Sequence, residues 1–231
     1  MEKCSNKVSF YDLDWDTNFF GVSSAKAILY MPLTSNEWDK LQDQFNNYQF
    51  ISITNQNSEP INAQLIGKNT SAFLADVNIQ FVKKLEGSYE MPENITIHQS
   101  LKRNDEIIEL AEFQYSKFTE DPELAKRGGN QVYSQWLINA FEKPDKFFAL
   151  SKDENDKVNG YVLFSFSDNA SVIELIAVSP IETKGGIGTS LFKAVEYATI
   201  QQGYNEIKVG TQIRNIGAIN FYHKVGCKQV G

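Results

Sequence analysis

Cysteine and histidine are scarce in this 231-residue chain, with two of each. Cys4 and Cys227 lie near opposite ends, so neither a disulfide framework nor a thiolate metal cluster is expected. His98 and His223 are too few for a histidine metal site, and no metal cofactor is expected. Long hydrophobic runs are missing as well. No apolar stretch approaches the roughly 18 residues of a membrane span, and the opening MEKCSNKVSF lacks the apolar core of a signal peptide. A cytoplasmic protein without membrane insertion is the expectation. Basic side chains number 22 against 29 acidic ones, a net charge of −7, and no basic stripe occurs. That argues against a nucleic-acid partner held by bulk electrostatics. An acidic protein that binds a polyanion must do so with local N–H groups and one or two cations.

What is present is ordinary for a globular protein: 42% apolar and 22% charged residues. The length suffices for a real core and for one large domain or two small ones. Short strands are expected at 8–11, 25–30 and 50–54. A helix capped by Ser35 carries Trp38, Leu41 and Phe45 at helical spacing, and a short helix follows at 61–67. A strand within 73–85 completes a first α/β domain over residues 1–92, with the linker near 86–94. The second domain, 93–231, opens with a strand at 95–98. A helix capped by Asn104 or Asp105 follows, then a loop over 121–129 and a helix carrying Val132, Trp136, Leu137 and Ala140. A hairpin of 147–151 and 158–167 comes next, and after it a long apolar strand, 172–178. A strand at 206–210 and a helix from about 215 to 225 close the order.

The densest signal follows that long strand. Lys184-Gly185-Gly186-Ile187-Gly188 leads into a helix whose Ile187, Leu191, Val195 and Ala198 fall on one face. Glycines allow close backbone approach, and the first helical turn leaves N–H groups without internal partners. Strand, glycine turn and helix N-terminus thus make an anion site for a phosphorylated ligand. A dinucleotide fingerprint does not fit, because Leu191 stands at the third glycine position, and no Gly-Lys-Ser/Thr follows for a Walker loop.

This order of elements, over about residues 94–230, resembles the GNAT acetyltransferase superfamily. Gly186 and Gly188 match the acyl-CoA pyrophosphate loop, although Thr183 stands where Gln or Arg is usual; Lys184 can restore the charge. Asn215-Ile216-Gly217-Ala218-Ile219-Asn220-Phe221-Tyr222-His223-Lys224-Val225-Gly226 resembles the terminal helix of that superfamily. The resemblance implies a mostly antiparallel central sheet flanked by helices, here with an extra N-terminal α/β domain. Trp15-Asp16-Thr17-Asn18-Phe19-Phe20-Gly21-Val22 is similar to the signature of superfamily members that acetylate nucleotide-linked amino sugars. Val209-Gly210-Thr211-Gln212, followed by Asn215 and Tyr222, points the same way.

The resemblance implies acetyl-CoA as co-substrate and a small-molecule amine as partner, in particular a dTDP-4-amino-4,6-dideoxyhexose. Gly185, Gly186, Ile187, Gly188 and Thr189, with Lys184, would hold the pyrophosphate. The backbone of Ile176, Ala177 and Val178 would pair with the pantetheine arm as an added strand. Asn215 would touch cofactor or substrate, and Tyr222, seven residues on and so on the same helix face, would protonate the leaving thiolate. Packing between Ala218 and Val225 is the plainer role for that ring. Glu174 is a candidate base, set against an ion-paired strand residue; His98 and water are the other candidates, and His223 is expected at the surface. Trp15, Phe19 and Phe20 fit either a domain core or an aromatic wall for sugar or base, and Arg214 is a candidate phosphate contact. A homodimer is compatible with this reading. So are two other functions: acetylation of another small amine or amino acid, and silent acyl-CoA binding. The family's closing strand has only begun at 227–231, leaving a sheet edge that is short, incomplete or filled by another subunit.

Overall fold

A computed structural model describes residues 7–180 and 186–231. The described strands form two sheets. The chain divides into two units, Met1–Ala75 with Pro122–Gly128, and Asp76–Asp121 with Gly129–Gly231.

In the smaller unit, β1 (Val8–Asp12) runs antiparallel to β2 (Ser24–Leu29), with α1 (Asp14–Phe20) between them in sequence. No sequence periodicity marks α1, a helix of 7 residues; it ends at Gly21, whose φ of 68° suits a residue without Cβ. Phe20 is buried, whereas Trp15 stacks on Phe19 with ring centroids 4.7 Å apart and stays partly exposed. Helix α2 (Ser35–Phe45) crosses to β3 (Phe50–Asn55), parallel to β2. Its cap is Thr34 rather than Ser35. The Thr34 hydroxyl accepts from the Glu37 amide and the Glu37 carboxylate accepts in return from the Thr34 amide, a reciprocal pair. That backbone hydrogen bond, aided by Lys7, holds the Glu37 carboxyl down at about 2. Helix α3 (Pro60–Asn69) adds Leu65 and Ile66 against a core of Ala27, Leu29, Leu33, Trp38 and Leu41.

The larger unit begins earlier than the sequence suggests. Strand β4 (Asn78–Lys84), expected to finish an N-terminal domain ending at 92, belongs to the seven-stranded sheet of this unit. The order continues through β5 (Ile95–Gln99), α4 (Asp105–Glu109), α5 (Lys117–Glu120), α6 (Pro122–Lys126) and α7 (Val132–Ala140). Helix α6 falls in the expected 121–129 loop and belongs to the smaller unit. Then follow β6 (Phe147–Lys152), β7 (Val158–Ser167), β8 (Ala170–Val178), α8 (Ile187–Gln201), β9 (Glu206–Gln212), α9 (Ile216–Lys224) and β10 (Lys228–Gln229). The sheet order is β10-β4-β9-β8-β7-β6-β5, antiparallel except between β8 and β9.

The slot beside β9, where a closing strand was expected, is therefore filled from the chain's own earlier half. Alternation along β4 drives this placement: Ile79 and Phe81 are buried while Asn78 and Gln80 face out. Lys83 clamps the strand, since its ammonium pairs with buried Glu196 of α8 and donates to the Val225 carbonyl after α9 at 2.6 Å.

The sheet carries a core on each face. Helices α8 and α9 cover one, with Leu191, Phe192, Val195 and Tyr222 packed on Phe81, Val162, Phe164 and Ile173. Helices α4 and α7 cover the other, with Ile107 and Leu137 packed on Phe148, Tyr161, Leu163 and Leu175.

Candidate functional site

The sheet forks at its one parallel pair. Strand β8 meets β9 at Ser171–Ile207, Val172–Lys208 and Ile173–Val209, and no further. Beyond that point β9 stays with β4, pairing Gly210, Thr211 and Gln212 with Gln80, Ile79 and Asn78. Strand β8 stays with β7. The cause sits at Glu174. Leu163 faces Leu175 and Phe164 faces Ile173, so Glu174 is an extra residue, a bulge that bends β8 away from β9. From Glu174 to Val178 the β9-facing backbone edge of β8 has lost its strand neighbour and offers a ladder to an extended ligand.

The open end of this fork meets the start of α8. Gly186 precedes the helix at φ 76°, a left-handed conformation that favours glycine. The first intrahelical bond is made by the Ser190 amide to the Gly186 carbonyl at 3.0 Å, so the amides of Ile187, Gly188 and Thr189 lie ahead of the helical ladder. Gly188 is where three elements converge. A Cβ there would lie 3.3 Å from the Phe221 ring of α9 and 3.8 Å from Val178 at the end of β8. On β7, Gly160 lets the helix seat closely: a Cβ would meet Ile187 at 3.0 Å and Leu191 at 3.1 Å. Lys184 and Gly185, expected in this turn, and Thr183 lie outside the described residues.

Asn215 caps α9, its side-chain oxygen accepting from the Ala218 amide at 3.1 Å. Seven residues on, Tyr222 is 3% exposed, with its ring 5.4 Å from Phe81 of β4 and 5.5 Å from Phe221. Burial raises its hydroxyl well above the ordinary tyrosine value, with Cys227 adding a smaller push. The phenol therefore stays protonated throughout the working range.

Glu174 is not a free carboxylate. Lys146 donates to Oε1 at 2.6 Å, Ser165 donates to the same oxygen at 2.6 Å, and the Trp136 indole donates to Oε2 at 3.0 Å. His98 lies on β5, the sheet edge farthest from β9, with Nε2 2.9 Å from the Thr96 hydroxyl. His223 is exposed, edge-on to Phe81. Arg214 is bound to Glu120, with Nη1 2.5 and 2.6 Å from the two carboxylate oxygens, and lies over Tyr115. Residue spacing along the chain carries no hint of the Trp136, Lys146 and Ser165 set around Glu174. Those partners stand 38, 28 and 9 residues away, and only the bulge brings them together. Among the described residues no group of three or more His, Cys, Asp or Glu is placed to hold a metal, and no helix is long and apolar enough to cross a membrane.

A forked sheet with a bare strand edge, opening on a glycine-led helix start, defines a class of site suited to an extended ligand. Residues 104–227 match the acetyltransferase (GNAT) family, and the chain belongs to that family, whose co-substrate is acetyl-CoA. The spore coat polysaccharide biosynthesis protein SpsD of Bacillus subtilis (strain 168) is 28% identical over 123 residues, covering 52% of this chain and 42% of the relative. The chain thus matches less than half the length of that relative. Among solved structures, a GCN5-related N-acetyltransferase from Sphaerobacter thermophilus aligns with a TM-score of 0.61 at 13% identity, covering 97% of this chain and 74% of the other. A conserved protein of unknown function from Staphylococcus epidermidis aligns with a TM-score of 0.63 at 14% identity, covering 100% and 90%. Both share the fold.

Proposed function

We propose that this chain transfers acetyl from acetyl-CoA to the amine of a nucleotide-linked amino sugar of the dTDP-4-amino-4,6-dideoxyhexose type. The observation that carries the reading is the fork at Glu174 opening onto the Gly186–Gly188 turn. Support for a sugar acceptor comes from the polysaccharide-biosynthesis relative and from the Trp15–Val22 motif.

In this reading the amides of Ile187, Gly188 and Thr189, with Gly185, Gly186 and Lys184, hold the pyrophosphate at the helix start. The backbone of Ile176, Ala177 and Val178 pairs with the pantetheine amides, and a β8 amide polarises the thioester carbonyl. Asn215 keeps its amide N–H donors for cofactor or substrate while its oxygen caps α9. The neutral amine attacks the carbonyl carbon, the C–N bond forms and the C–S bond breaks. The Tyr222 hydroxyl supplies the proton to the departing sulfur, the amine's proton leaves to water, and water returns a proton to the Tyr222 phenolate. Glu174, already accepting from three donors, fits an anchor better than a base.

The test is thiol release from acetyl-CoA with dTDP-4-amino-4,6-dideoxygalactose as acceptor, beside calorimetric titration with CoA. Turnover of the nucleotide sugar with CoA binding at micromolar level is expected. No association at millimolar CoA, or turnover of amino acids alone, defeats the proposal.

A further inference from the structure

The residue that the fork leaves unexplained is Trp136. It sits on α7, between the buried Val132 and Ala140, yet its side chain is 40% exposed. Its ring is not loose. The indole N–H donates to Glu174 Oε2, and Glu174 is itself fixed by Lys146 and Ser165 through Oε1. With the carboxylate 9% exposed and the ammonium 23% exposed, this ion pair is shielded from water. Large exposed aromatics normally lose orientation to solvent, whereas this one is aimed by a rigid support.

The direction matters. Ile176 and Val178 of β8 pack into the core beneath α8 and α9, while Leu175 and Ala177 face the core beneath α4 and α7. A carrier seated at the α8 start fills the fork from the first side. An attacking amine must then reach the thioester carbonyl from the second side, where α7 lies. Glu174 is the first β8 residue past the last β8–β9 pair, so the indole N–H that it accepts at 3.0 Å is anchored at the root of the fork.

We infer that Trp136 is the acceptor platform: its exposed indole face stacks on the apolar C–H face of the incoming amino sugar, with Glu174 as the positioning residue that sets its angle. The inference rests on the acetyltransferase reading above and deepens it, since it names what recognises the sugar ring as opposed to its amine. Deoxygenation at the 6-position enlarges the apolar face that such a ring contacts. Loss of such a stack is read as about a tenfold change in affinity, which corresponds to about 1.4 kcal/mol.

Steady-state kinetics of the whole chain decide it, with dTDP-4-amino-4,6-dideoxygalactose and the acyclic amine ethanolamine as acceptors. Trp136→Ala is expected to raise the sugar KM about tenfold while KM for acetyl-CoA and turnover of ethanolamine stay unchanged. Trp136→Phe, which retains a flat ring, is expected to recover part of the loss. Glu174→Gln should shift the Trp136 indole N–H resonance upfield, as its charged acceptor is lost, and raise the sugar KM as well. A sugar KM within twofold of wild type in Trp136→Ala, or an equal loss on both amines, overturns the inference. Wild-type protein that turns over ethanolamine but no amino sugar overturns both this and the substrate reading; wild-type sugar turnover with an unmoved KM in the variants overturns this alone.

Discussion

Phe81 tests the placement of β4 more sharply than any other residue. It is fully buried, with its ring 5.4 Å from Tyr222 and 5.2 Å from His223, both on α9. Phe81→Ala removes a whole aromatic side chain from a core that the backbone ladder on both sides holds open, since β4 is bonded to β9 and β10. Collapse into the void is thus restricted, and a loss of about 3–5 kcal/mol is expected, or roughly 6–20 °C in melting temperature for a chain of this size. Urea denaturation followed by circular dichroism measures the first figure and calorimetry the second. The specific claim is the contact with Tyr222. A double-mutant cycle pairing Phe81→Ala with Tyr222→Ala should give a coupling of about 0.5–1.5 kcal/mol. A single-variant loss below about 1 kcal/mol, as at a surface site, or strict additivity in the cycle, would refute the insertion of β4 behind α9.

Tyr222→Phe preserves that packing and deletes only the hydroxyl, so stability should hold while kcat falls by roughly 10² or more. Because burial raises the phenol above its ordinary value, the protonated donor persists to higher pH; an alkaline fall in kcat below about pH 9 that vanishes in the Phe variant would contradict this. Cys227, buried and with its thiol pushed up to about 11 from 9.0, forms thiolate only at high pH. At pH 8 peptide-resolved mass spectrometry should show its alkylation at least about 100-fold slower than in urea, and equal rates would place it at the surface. Gly188→Ala gains about 1 kcal/mol of helix propensity but crowds the Phe221 ring at 3.3 Å. Melting should change little while CoA binds about tenfold more weakly, and unchanged affinity by calorimetry would remove Gly188 from the anion turn. Lys83→Met leaves Glu196 buried without its cation and should cost about 3–5 kcal/mol, with much of it restored by adding Glu196→Gln.

What the sequence revealed follows from how local the determinants are. The α8 stripe of Ile187, Leu191 and Val195, the run that makes β8, and the glycine turn between them are contiguous. Their period and composition announced the elements and the glycine-led start of the helix. The seven-residue spacing from Asn215 to Tyr222 is equally local, whereas the capping bond from Asn215 to the Ala218 amide is a finding of the structure. The bulge was invisible, because Glu174 differs from its neighbours only in being polar, and its partners come from β7, α7 and the turn before β6. The boundary near 92 failed for a related reason. Strand β4 has the alternation of any half-buried strand, and nothing within it says which of two sheets its apolar face will join. That choice is made by Phe81 meeting Tyr222 and by Lys83 meeting Glu196, pairs separated by more than a hundred residues.

The inserted strand also accounts for how the fork is kept open. A bulge bends β8 away, but a fork persists only if the other arm is held, or the bare edges would re-pair and satisfy one another. Strand β4 supplies that hold. Its ladder takes the β9 residues Gly210, Thr211 and Gln212 on the side away from β8, and Lys83 ties the same strand to both helices on that face through Glu196 and the Val225 carbonyl. The β9 arm and the wall behind Tyr222 thus share one support, so a change in β4 must reach the fork and the phenol together.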